Sequence, residues 1–161
     1  MRWMALLAVL FSLLASEASA QEMYATDLMP PKEAIPAGFV YLPSESWLCC
    51  QGMAMERSYG KTSNRWKVSA VVLPTAEDAV ARCQEIVAGR PGEITEEAGY
   101  GERAWRTIRQ TPLIRFESLY FQQGGVCAGV SQEADSRLDP AEQAANLEML
   151  VRLVESKALG R

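Results

Sequence analysis

Cys49 and Cys50 are neighbours in the chain, and Cys83 and Cys127 are the only other cysteines. This spacing constrains the fold more than any other feature. Adjacent residues of an extended segment project to opposite sides of the backbone. If Cys49 and Cys50 each bond a distant cysteine, they tie one segment to two different layers. Cys83 falls on the inward stripe of a helix predicted over 75–88, while Cys127 alternates with Val126 and Ala128 and points to the opposite side of the sheet. Disulfide Cα–Cα separations rarely exceed about 7 Å, so a Cys83–Cys127 bridge is not expected. A direct Cys49–Cys50 bond needs a strained ring. The expected connectivity joins one of the adjacent pair to Cys83 and the other to Cys127, with that choice open.

The compartment decides whether the thiols are oxidised. Arg2 is followed by the apolar run 5–14 and then by Ala18-Ser19-Ala20. This is a signal peptide over 1–20, with the mature chain starting at Gln21. The run is too short to anchor in a bilayer, and no later segment is apolar enough to span one. Four cysteines in an exported chain read as two disulfides, in the periplasm or outside the cell. The net charge of −4 comes without a basic run, which points away from nucleic acid and from an anionic membrane surface.

The segment 21–37, with Pro30, Pro31 and Pro36, reads as an extended arm. A single α+β domain over 38–161 follows. Its sheet is antiparallel. Strands are expected over 39–42, 53–59, 65–73, 102–110, 113–123 and 126–132. Trp66, Val68, Ala70 and Val72 alternate onto one face. Gly124-Gly125 is a two-residue hairpin turn, which sets Phe121 opposite Ala128 and Leu119 opposite Val130. A two-residue turn at Thr111-Pro112 would set Arg106 opposite Glu117.

Two helices complete the domain, over about 75–88 and 140–157. Thr75 and Asp139 are N-caps, Asp78 and Glu142 stand at N3, and Pro140 is at N1. Both helices are expected on the face that carries Leu119, Phe121, Ala128 and Val130. The N-terminal extended segment would then lie on or near the other face. The segment holding Glu93, Glu96 and Glu97 reads as a solvated loop.

The absence of histidine removes the common nucleophile–base pairs and the histidine metal sites, and points away from an enzyme. No cofactor is implied. Trp105, Phe116 and Tyr120, flanked by Arg103 and Arg109, form a possible ligand surface on the second sheet face. The function read from the sequence is a non-enzymatic binding domain whose partner is a protein or an envelope polymer. The alternative is a Cu(I)-binding protein using Cys49, Cys50, Met53 and Met55, since soft sulfur ligands favour that ion.

Overall fold

The computed structural model describes residues 23–160. The expected signal peptide lies outside them. Three helices, α1 (Ala25–Leu28), α2 (Ala76–Ala88) and α3 (Pro140–Ala158), pack on one antiparallel sheet. Its strands are β1 (Val40–Tyr41), β2 (Trp47–Cys49), β3 (Ala54–Lys61), β4 (Asn64–Val72), β5 (Glu93–Glu97), β6 (Arg103–Gln110), β7 (Ile114–Gln123) and β8 (Val126–Asp135). The order across the sheet is β1-β3-β4-β8-β7-β6-β5, and β2 also pairs with β3. The α+β class therefore stands. Both main helices start where their caps predict: Thr75 accepts a hydrogen bond from the Asp78 amide, and Asp139 from the Ala141 amide.

The Gly124-Gly125 hairpin has the expected register, with Leu119 opposite Val130. The preceding hairpin is two residues longer than expected. Gln110 faces Arg115, and Thr111 closes the turn by exchanging hydrogen bonds with Ile114. Arg106 consequently faces Leu119, and Glu117 faces Ile108. Side chains alternate with period two, so this slip of two changes partners and leaves every face assignment intact.

The expected placement of both helices on one face is corrected. On one face, Leu147, Leu150, Val151 and Val154 of α3 pack against Trp66, Val68, Leu119, Phe121, Ala128 and Val130. On the other, Ala79, Cys83 and Val87 of α2 pack against Trp105, Tyr120 and Cys127. The central strands are apolar on both faces, so each face needs its own layer. The N-terminal segment joins the α3 face rather than the opposite one, with Ala25, Leu28 and Met29 in that core. It is not wholly extended, because these apolar residues are buried through one helical turn.

The cysteine pairing is corrected as well. The disulfides are Cys49–Cys50 and Cys83–Cys127, the latter with a Cα–Cα separation of 5.5 Å. Cys127 does point away from Ala128, as its alternation requires. The helix differs from its expected place: α2 crosses the Cys127 face, so no bridge has to pass through the sheet. Finally, Glu93–Glu97 is an edge strand paired with β6, not a loop. A Cβ at Gly92 would come within 2.5 Å of the Ile108 carbonyl oxygen, so only glycine lets the chain enter the ladder there.

Candidate functional site

The α2 face of the sheet is organised in cross-strand rows. Trp105, Tyr120, Gly129, Ser69 and Glu56 stand side by side across β6, β7, β8, β4 and β3. The next row is Thr107, Ser118, Ser131, Lys67 and Ser58. The one after is Arg109, Phe116, Glu133, Arg65 and Gly60. Thus the face passes from aromatic, through hydroxyl-bearing, to charged. The short helix α2 covers the aromatic row and stops. Beyond its end lies a cleft of about 310 Å³ with Thr107, Ser118, Ser131 and Phe116 among its lining residues.

Two segments wall this cleft. On one side is the 3-10 turn Pro43–Glu45, whose Glu45 carboxylate accepts two hydrogen bonds from Arg65 at 3.0 and 3.1 Å. Ser46 fixes this turn by accepting from the Ser58 amide at 2.9 Å. On the other side are Arg90 and Pro91, just past the α2 C-cap Gly89. Arg90 donates to the Tyr120 hydroxyl at 2.8 Å and lies 3.6 Å from Glu56. Its Nε is buried and has no hydrogen-bond partner among the described residues.

Glu56, which lines the adjoining hollow rather than the cleft itself, is the buried acid behind Arg90 and Lys67. Ser69 donates to it at 2.9 Å and Lys67 approaches at 3.3 Å. Two cations thus share one carboxylate at the α2 end of the cleft, both at the long end of contact range. In the hydroxyl row, Thr107 and Ser118 are 2.7 Å apart and hydrogen-bonded to each other. Among the described residues, neither is hydrogen-bonded to a basic side chain.

The residues singled out from sequence divide between covered and open parts of this face. Trp105 and Tyr120 are buried beneath α2. Arg103 is exposed, stacks over Trp105 at 5.2 Å and pairs with Glu96. Phe116 lines the cleft, and Arg109 stands directly opposite it in the ladder. Sequence reading missed Thr107, Ser118, Ser131, Lys67 and Arg90. Small hydroxyl residues in strands look like ordinary solvated positions until the register places them in one row.

Two further arginines, Arg106 and Arg115, do structural work on the α3 face. Glu117, with its side chain 1% exposed, is gripped by Arg106 at 2.5 Å and Arg115 at 2.8 Å. Arg106 also reaches Glu97 and Glu148. Burial disfavours its charge, yet hydrogen bonds to Glu117 and Glu148 outweigh this and hold its pKa above the ordinary value.

The soft-sulfur set is not assembled in the oxidised chain. Cys49 and Cys50 are bonded to each other, Met55 is buried in the α3-face core, and Met53 lies outside the strand in helical backbone. Among the described residues no helix is long and apolar enough to cross a membrane.

No family model matches the chain, and no curated protein does. Among solved structures, the extracellular domain of PknH from Mycobacterium tuberculosis is similar, with a TM-score of 0.40 and 10% identity. The match covers 67% of this chain and 64% of that one. At that score it carries no functional inference.

Proposed function

We propose that this protein is a non-enzymatic binding domain of the periplasm or the extracellular space, and that its ligand is an envelope polymer held in the cleft beyond α2. Two disulfides fit an oxidising compartment. The observation that carries the reading is the cleft itself, where part-buried Ser131 and Lys67 and the half-buried ring of Phe116 converge with Arg90, while Thr107 and Ser118 of the same row are buried and bonded to each other. A concave site with a few convergent polar groups and one aromatic wall is what a ligand site needs. The volume lies near the lower end of the ~300–1,000 Å³ typical of such sites. It suits a narrow chain better than a protein partner, which requires roughly 800 Å² on each side.

The test is cosedimentation of the purified mature protein with isolated insoluble cell-envelope polymer. Wild type is expected to pellet, and Ser131→Trp, which fills the cleft from an already half-exposed position, is expected to stay in solution at an unchanged melting temperature. Equal pelleting of the two proteins, or pelleting of neither, overturns the proposal.

A further inference from the structure

Resting on that reading, we infer that the cleft takes a carboxylate-bearing saccharide segment, with the acid group held at Arg90 and Lys67. At the α2 end, Arg90 and Lys67 have, among the described residues, only the Glu56 carboxylate between them, at 3.6 and 3.3 Å. At the far end, Arg65 is already held in a two-bond grip by Glu45. One end of the cleft therefore holds an excess cation, and the other, where Glu133 stands beside Arg65 as a second carboxylate, holds an excess anion. A guanidinium is built to hold an oxyanion in a fork. The Arg90 guanidinium spends one hydrogen bond on the Tyr120 hydroxyl and leaves its buried Nε unpartnered. The Arg90 side chain is 25% exposed and lines the cleft, so an incoming carboxylate would meet the guanidinium from that side rather than at the buried Nε.

The rest of the lining fits the remainder of such a ligand. Phe116 offers an aromatic face for the apolar side of a sugar ring. Ser131 and Glu133, both half-buried, offer a hydroxyl and a carboxylate to ring hydroxyls. From Thr107 on β6 to Lys67 on β4 the hydroxyl row crosses three interstrand spacings, on the order of 14 Å. Thr107 and Ser118 are buried and bonded to each other, so a short oligosaccharide would meet the row at its open part, Ser131 and Lys67. A peptide strand would instead seek backbone groups, and here those are already engaged in the ladders.

The experiment uses the mature protein in isothermal titration at low salt with three probes: trigalacturonic acid, its carboxyl-reduced neutral counterpart, and tri-N-acetylglucosamine. Trigalacturonic acid is expected to bind, and to weaken as salt is raised. The two neutral probes are expected to bind on the order of tenfold more weakly, the scale of a charge-assisted hydrogen bond. Arg90→Lys keeps the charge and removes the fork, and should lose most of that preference. Arg90 also supports Tyr120, so Lys67→Gln and Phe116→Ala are measured alongside. Lys67→Gln should reduce binding of the acid alone, and Phe116→Ala should reduce binding of all three. Equal binding of the acidic and neutral probes overturns the acidic assignment and leaves the cleft as a polymer site. Binding by none of the probes, while envelope polymer still pellets the protein, also overturns it. Loss of both results removes the underlying reading too.

Discussion

A Cβ at Gly129 would stand 2.6 Å from Tyr120 Cγ and 2.4 Å from the Leu119 carbonyl oxygen. The missing side chain is therefore what lets the Tyr120 ring lie across β8. Its hydroxyl then meets Ser69 on β4 at 3.2 Å and receives the Arg90 hydrogen bond. One glycine on β8 thereby sets the wall of the cleft. Gly129→Ala should destabilise the domain by about 1–3 kcal/mol, the cost of overpacking a filled core. It should also displace Arg90. Urea unfolding checks the first effect, and an unchanged midpoint would contradict it. A second residue-scale expectation concerns Asp135. Side-chain and backbone hydrogen bonds from Arg137 lower its pKa from 3.8 to about 2. A carboxyl group lowered in the folded state favours folding above its unfolded pKa, and loses that contribution as pH falls through the folded value. The loss should therefore fall between about pH 4 and about pH 2. Arg137→Gln should return the Asp135 midpoint towards the ordinary value in a carboxyl NMR titration.

At the scale of elements, α2 is a short helix held to the sheet by a covalent bond. Its buried stripe has only Ala79, Cys83 and Val87 wholly inside. The Cys83–Cys127 bridge spans a sequence separation of 44, for which the chain-entropy model gives about 4 kcal/mol. Replacing both residues by alanine should cost roughly that much. Replacing Cys49 and Cys50 by alanine should cost under about 1 kcal/mol, because adjacent residues close no loop worth constraining. Thermal melts of the two double variants make the comparison. Peptide mapping without reduction should show a Cys83–Cys127 two-peptide product. The edge strand β5 is a case where pairing overrides local character. Its polar run would be a solvated segment alone, yet β6 recruits it and Arg103 and Arg106 take up Glu96 and Glu97.

At the scale of the molecule, an antiparallel sheet separates two layers with different tasks. The α3 layer is the larger core. Buried amides anchor the start of its helix, with Asn64 donating to Gln143 at 2.9 Å and Gln132 donating to both. The α2 layer covers only part of its face and so leaves the cleft. For the whole chain the expected processing is loss of 1–20. Intact mass of the exported protein should begin at Gln21, and retention of the leader would contradict export by cleavage.

The local signals in this sequence act over one turn or one hairpin, and these were readable without a structure. Thr75 and Asp139 mark helix starts, Gly124-Gly125 sets a register, and alternation along β4, β7 and β8 assigns every side chain to a face. The placing of Phe116 on the same face as Trp105 and Tyr120 was legible for the same reason. What remained undecided is which face each helix takes, because a helix stripe says that it must be buried and not against what. With both sheet faces apolar, sequence alone leaves two placements for α2, and the pairing of Cys83 with Cys127 depends on that choice. The hydroxyl row has the same origin. Thr107, Ser118, Ser131 and Lys67 are far apart in the chain, and only the pairing of four strands makes them neighbours.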